Sequence, residues 1–180
     1  MGLSRLDNFL KSSRGTILYV NPNDLDATDS IENQGNSLTR PFKTIQRALL
    51  EAARFSYQRG LNNDRFAKTT IQVYPGDHVI DNRPGFIPDG TNNYRLRNGT
   101  TSDNLPAFDL STNLDLASAD NNLFKLNSIH GGVIIPRGTS LVGVDVRKTK
   151  IRPKYIPSPT NSNIERSAIF RVTGGCYFGQ

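Results

Sequence analysis

The side chains that most invite a chemical role are a run of acids, Asp24, Asp26, Asp29 and Glu32, in one loop that ends at Gly35. Their spacing suggests a calcium loop. With Asp24 as first ligand, however, the sixth position is Asp29 where glycine is needed, and the twelfth is Gly35 where a bidentate Glu is needed. That excludes an EF-hand. It leaves either a looser cation site or a solvated turn whose Asp and Asn side chains bond their own backbone. His78 lies in a short alternating piece, Asp77 to Ile80, and is expected at the surface or packed rather than as a ligand. No His/Cys cluster with metal-site spacing occurs. A Gly-rich phosphate loop, a GxSxG elbow and nucleotide motifs are also absent. Cys176 is the one cysteine, so an internal disulfide is impossible; it reads as a small buried hydrophobe or a reactive thiol. On these grounds no catalytic, cofactor-binding or metal-ligating residue is assigned.

Two stretches point to contacts instead. Lys148, Lys150, Arg152 and Lys154, next to Arg147, alternate at period two, so an extended chain places all four on one face. That ladder is an outward solvated face, an edge strand blunted by lysine, or a contact for an acidic partner. Few aromatics interleave with it, which gives stacking-based nucleic-acid binding little support. The net charge of +6 permits acidic partners without identifying one. At the start of the chain, Leu3, Leu6, Phe9 and Leu10 share one face of a possible short amphipathic helix. So short a helix is marginal alone in water. It either folds back on the core or is a docking peptide that orders on a partner. No signal peptide precedes it and no apolar run approaches a membrane span, so membrane insertion is not expected.

The elements that position these stretches are mostly strands. The chain has 180 residues, 36% of them hydrophobic, with 15 Gly and 10 Pro, which favours a turn-rich β chain with one real core. The one long helical pattern is Thr39–Gly60. Phe42, Ile45, Leu49, Ala52 and Ala53 form its apolar stripe, Thr39 and Pro41 suit its first turn and Gly60 its end. Arg47 and Glu51 are expected to pair on its wet face. Strand-like runs flank it at Thr16–Val20 and Thr69–Tyr74, the latter closed by Pro75-Gly76. Phe42, Ile45 and Leu49 should be buried against them.

Residues 81–130 differ in kind. They are dense in Asn, Asp, Ser and Thr, with scattered apolar anchors that include Phe86, Tyr94, Leu123, Phe124 and Leu126. A structureless loop of this length is unusual inside one domain, so it is expected to be an excursion pinned to a neighbouring surface. From Gly131 strand rhythm returns. Val133, Ile151 and Ile169 recur at a spacing of eighteen, which suggests coils stacked as a solenoid. The chain is thus divided into an arm over 1–14, a capping helix with first strands over 15–80, a polar insertion over 81–130, and coils over 131–180. The last residues read as the opening of another coil, so the chain is expected to continue past Gln180 or to be covered there by another chain.

Gly15-Thr-Ile-Leu-Tyr-Val20, Arg40-Pro-Phe-Lys-Thr-Ile-Gln-Arg-Ala-Leu49 and Thr70-Ile-Gln-Val-Tyr-Pro-Gly76 together resemble the entry to a pectate-lyase-like (pectin-lyase-like) right-handed β-helix. Ile135-Pro-Arg-Gly-Thr-Ser-Leu-Val-Gly143 is similar to a recurrent coil step of that family. The resemblance implies a mainly β fold: the start of a right-handed parallel β-helix, plugged by one amphipathic helix and interrupted by the insertion. The opening MGLSRLDNFLKS and the phrase IENQGNSLTRPFKTIQRALLEAARFSYQRG resemble virion structural proteins of contractile-tailed cyanophages. This implies a tail or baseplate-associated fibre or spike component, located in the virion and made in the host cytoplasm. It further implies a homotrimer that contacts other virion proteins, with a distal part that meets a host surface glycan. Leu3, Leu6, Phe9 and Leu10 would then dock it.

The same fold family includes polysaccharide lyases and hydrolases, which need gathered or facing carboxylates. Between Gly131 and Gln180 the acids are Asp145 and Glu165 alone, far apart in sequence. Catalysis by these residues is therefore not expected, since fold alone does not carry function. The alternative is a polysaccharide-degrading tailspike whose catalytic part follows residue 180. A bacterial surface adhesin is a third class, opposed by the missing signal peptide.

Overall fold

A computed structural model describes residues 16–56, 68–88, 94–96, 122–156, 168–173 and 177–179. Among these the chain is mainly β, with ten strands and one helix. β1 (Thr16–Val20) and β2 (Thr69–Val73) alternate inward and outward side chains, as a pleated strand must. Leu18, Val20, Ile71 and Val73 face inward and are fully buried. The two strands pair in parallel, Thr16 beside Thr69 and Val20 beside Val73. After Pro75 the chain turns into β3 (Gly76–Ile80), whose buried side chains are His78 and Ile80.

The polar stretch opens with an antiparallel pair, β4 (Phe86–Pro88) and β5 (Tyr94–Leu96). Strands then follow closely as β6 (Val133–Ile135), β7 (Thr139–Gly143), β8 (Thr149–Pro153), β9 (Phe170–Val172) and β10 (Tyr177–Gly179). One parallel sheet has the order β1-β2-β7-β10, and two others are the parallel pairs β3-β8 and β6-β9. The chain therefore visits three parallel sheets as β2, β3, β6 and revisits them in the same order as β7, β8, β9, before β10 returns beside β7.

This topology corrects the expected repeat of eighteen. Val133 lies on β6 and Ile169 just before β9, in one sheet, but Ile151 between them lies on β8 in another sheet, so the three do not form one stack. The residues that do stack are 37 apart, Val133 beside Phe170 and Ser140 beside Tyr177. Thr69 and Thr139, 70 apart, stack across the turn of chain that carries the insertion.

The helix, α1, runs from Ile45 to Ser56, shorter at its start than the expected Thr39 boundary. Asp29 is the reason. Its buried Oδ1 accepts the N–H groups of Lys43 and Thr44 at 2.9 and 3.0 Å, which holds that segment extended up to the cap. The Thr44 hydroxyl then accepts the Arg47 N–H at 3.2 Å, so Thr44, not Thr39, is the N-cap. Phe42 leaves the helical stripe and bridges β1 at Val20 in parallel. Its N–H donates to the Tyr19 carbonyl at 2.8 Å, and its own carbonyl accepts from Asn21 at 3.0 Å. The expected burial is nonetheless found: Phe42, Ile45 and Leu49 join Leu18, Val20, Ile71 and Val73 in one core cluster.

The loop before the helix closes over the same edge. The Tyr19 N–H donates to the Gly35 carbonyl at 2.8 Å. Gly35 has φ of 61°, and a Cβ there would run into the Phe42 ring, so both backbone and packing demand glycine. Two acids of this loop, Asp24 and Asp29, bond the backbone. Asp24 Oδ1 accepts the Asp26 N–H at 2.9 Å, and Asp29 is spent on Lys43 and Thr44. Burial pushes the Asp29 carboxyl above the ordinary range for aspartate, against the lowering by these hydrogen bonds. Among the described residues no group of three or more His, Cys, Asp or Glu side chains gathers as a metal-ion site.

The Arg47–Glu51 pair is not on a wet face. Arg47 Nη1 meets Glu51 Oε2 at 2.9 Å with both side chains buried. Arg47 Nη2 donates to the Asn33 carbonyl at 3.2 Å, and its guanidinium lies 4.7 Å from the Phe42 ring centre. The capping loop covers what would otherwise be the polar side of α1. A second side is covered by the end of the insertion, where Leu123 and Leu126 pack on Leu50. Leu123, Phe124 and Leu126 thus pin the insertion as expected, while most of its other apolar anchors lie outside the described residues.

Candidate interaction surface

β8 carries the basic ladder, which the structure divides. Lys150 and Arg152 are exposed on the outward side of the strand, opposite the inward Ile151. Lys148 precedes β8 in the turn and Lys154 follows it. Arg152 Nε donates to both Asp77 oxygens, at 2.8 and 2.9 Å, and its Nη2 lies 2.8 Å from Oδ2. Hydrogen bonding to Arg152 is the main reason the Asp77 carboxyl sits below its ordinary range, and the same contact raises the Arg152 guanidinium. Lys154 Nζ reaches Asp81 Oδ2 at 3.4 Å. Among the described residues Lys148 and Lys150 form no salt bridge, so these two remain available to an acidic partner. The other expected docking residues, Leu3, Leu6, Phe9 and Leu10, lie outside the described residues, as does Cys176.

Behind the ladder a buried polar knot ties the insertion to the strands. Asp81 takes the Arg83 fork through Nε at 2.7 Å and Nη2 at 2.6 Å. Arg83 also lies 5.5 Å from the Phe124 ring centre. Gln46 of α1 exchanges two hydrogen bonds with the Asp81 backbone, at 3.3 and 3.1 Å. Asn127 Nδ2 donates to the Asp81 and Arg83 carbonyls, both at 2.7 Å. Asn82 bridges to the next turn of chain, accepting from the Tyr155 N–H and donating to its carbonyl, both at 2.9 Å. Sequence spacing gave no sign of this knot, because its members come from four separate segments. Its geometry is structural: every carboxylate oxygen is bonded to a cation of the same chain.

His78, expected to be surface or packed, is packed. One ring nitrogen lies 2.8 Å from the Tyr74 carbonyl, and burial pushes its pKa below the ordinary value. Folding therefore favours the neutral ring. Stability is flat above the unfolded-state value of 6.5, falls as pH drops below it, and levels off once pH passes the lower folded-state value. The urea midpoint should fall between about pH 7.5 and about pH 5 more in the wild type than in His78→Gln. Parallel falls in the two proteins would contradict this.

The end of the stack away from α1 is the one where the sequence leads to the expectation of a further coil or of cover by another chain. Register places Phe170 on the same side of the sheet as Val133, and Val172 on the same side as Ile135. Val133 and Ile135 are fully buried, yet Val172 is 67% exposed and Phe170 only half-buried. Ile151, which stacks on the buried His78, is likewise half-buried. Inward-facing apolar side chains are thus partly uncovered on β8 and β9, whereas those on β6 and Leu141 on β7 are covered. Among the described residues no helix is long and apolar enough to cross a membrane. No protein-family model, curated protein or solved structure matches the chain.

Proposed function

We propose that the chain is a structural component of a bacteriophage virion, a tail or baseplate-associated fibre or spike element that anchors a distal part to the particle. Its strands form the start of a right-handed parallel β-helix plugged by α1. The observation that carries this reading is the one-ended closure of the stack. The outer edge of β1 is occupied by Gly35 and Phe42, and that of β6 by residue Leu126, whose carbonyl accepts the Ile134 N–H at 2.8 Å. From that closed end strands add in one direction, in parallel register. Right-handed crossovers follow from the general handedness of parallel β connections. A plugged rod that grows away from its cap suits load-bearing and spacing. Asp24, Asp29, Glu51, Asp77, Asp81 and Asp145 are committed to caps, turns and ion pairs, which supports a mechanical rather than a catalytic role.

The test is mass spectrometry of purified particles, in which the protein should be found. A variant lacking residues 2–13 should be missing from particles while still folding. Incorporation of that variant at the normal level would overturn the docking role of Leu3, Leu6, Phe9 and Leu10. Absence of the intact protein from particles would overturn the virion assignment.

A further inference from the structure

Three turns of the loop between β1 and α1 are built alike. In each, an N–H bonds back to the carbonyl three residues earlier: Ala27 to Asp24 at 3.3 Å, Asn33 to Ser30 at 3.1 Å and Arg40 to Ser37 at 3.3 Å. In each, the first side chain also accepts the N–H two residues on. Asp24 Oδ1 takes Asp26 at 2.9 Å, Ser30 Oγ takes Glu32 at 3.3 Å and Ser37 Oγ takes Thr39 at 3.2 Å. The second place of such a turn suits proline, as at Pro22 in the turn before them. These three hold Leu25, Ile31 and Leu38 there instead, 101%, 36% and 53% exposed. A single exposed aliphatic is ordinary. Three at the same place of three doubly fastened turns form a preorganised set. The set is spread along β1. The Asp24 N–H donates to the Asn21 carbonyl at 3.3 Å, so the Leu25 turn lies just past the end of that strand. Phe42 runs parallel to β1 at Val20, so the Leu38 turn that precedes it lies toward Thr16. Asn33 Nδ2 donates to the Thr28 and Pro41 carbonyls at 2.8 and 3.1 Å, which fastens the Ile31 turn to the same loop.

We propose that Leu25, Ile31 and Leu38 are the docking site of the chain's own segment 2–13. The proposal rests on the reading of that segment as a docking arm, and adds where the arm is held before a particle partner takes it. The segment lies outside the described residues and joins β1 at Thr16, beside the loop. As a helix it is about 18 Å long, which matches the roughly 17 Å of the five-residue β1. Running back along that strand, it brings Phe9 and Leu10 to Leu38 and Leu3 to Leu25. Charge complementarity selects this occupant. Arg5 and Lys11 outnumber Asp7 in the segment, and the turns carry Asp24, Asp26 and Glu32, which form no salt bridge among the described residues. A second copy docked loop to loop sets acids against acids, which is repulsive.

The test uses the full chain with Cys176→Ser and Ser4→Cys, a nitroxide attached at position 4, and amide signals read by NMR. The Asp26, Glu32 and Thr39 signals should be lost through broadening and return when the label is reduced. Leu25→Ser, Ile31→Ser and Leu38→Ser together should restore them, with the Leu18 and Ile71 signals unmoved as the control for folding. A peptide of residues 1–14 should bind the variant lacking residues 2–13. Asp26→Lys with Glu32→Lys should weaken that binding about tenfold, since each exposed charge pair contributes modestly. Sharp Asp26, Glu32 and Thr39 signals in the labelled chain, or broadening that survives the triple change, would overturn the proposal. So would broadening seen only between a labelled chain and a separate isotope-enriched one, which marks a second copy. The two levels fail separately. Absence of the protein from particles rejects the virion reading and leaves the broadening as it is, whereas sharp signals reject the arm's docking site and leave the particle content as it is.

Discussion

Glu51→Ala is expected to lower the unfolding free energy by about 3 to 5 kcal/mol, far more than an ordinary helix-surface pair contributes. The Arg47 side chain is fully buried, and Glu51 is its only carboxylate partner among the described residues. Arg47 Nε already lacks a hydrogen-bond partner, so the guanidinium has little reserve once Glu51 is gone. Arg54, 3.4 Å from the same Glu51 oxygen, is half exposed and has the wrong sign to substitute. Replacing both members, Arg47→Leu with Glu51→Leu, should recover much of the loss, because no charge is then left stranded in the core. Urea unfolding followed by circular dichroism measures all three proteins. A loss below about 1 kcal/mol for Glu51→Ala would show that water reaches the pair.

Phe42→Ala should cost about 3 to 5 kcal/mol through the cavity it leaves. The ring is fully buried in the main core, lies under Arg47 and fills the space that Gly35 leaves open. Its backbone also continues the pairing beyond β1, so the loss should appear as early exchange of the Tyr19 and Asn21 amides as well as a lower midpoint. A near-neutral result would make the cap peripheral to the strands it covers.

The helix was legible where its apolar stripe is regular, at Ile45, Leu49 and Ala52. Its start was not, because Asp29, remote from the helical pattern, captures Lys43 and Thr44, and β1 pulls Phe42 into extended pairing. Burial of the Arg47–Glu51 pair escaped notice for a related reason. Spacing alone says that two side chains meet on a helix, and nothing in it says that a loop from further back will cover them. The strand rhythm after Gly131 was read correctly, but its interval was not. Apolar residues on two different sheets fall at an equal spacing and mimic a short repeat, while the true interval is interrupted by turns of unequal length. The ladder on β8 was visible through its period of two. Its division by Asp77 and Asp81 depends on which strand lies alongside, which only the register reveals.

The separation of stacked residues also sets a timetable. Thr16 meets Thr69 and Thr69 meets Thr139, so each new strand of the main sheet must wait for the chain to travel 53 and then 70 residues. At translation rates of about 5 to 20 residues per second, β2 stays unpaired on one side for roughly 4 to 14 seconds after it is made. Contacts this distant fold slowly once the chain is complete, because loop closure precedes any gain from pairing. The contacts among β1, the loop that follows it and α1 are much shorter in range and can form meanwhile. The cap is thus the part that exists first, and it shields one edge of the growing sheet during the interval when the other edge is most prone to misassembly.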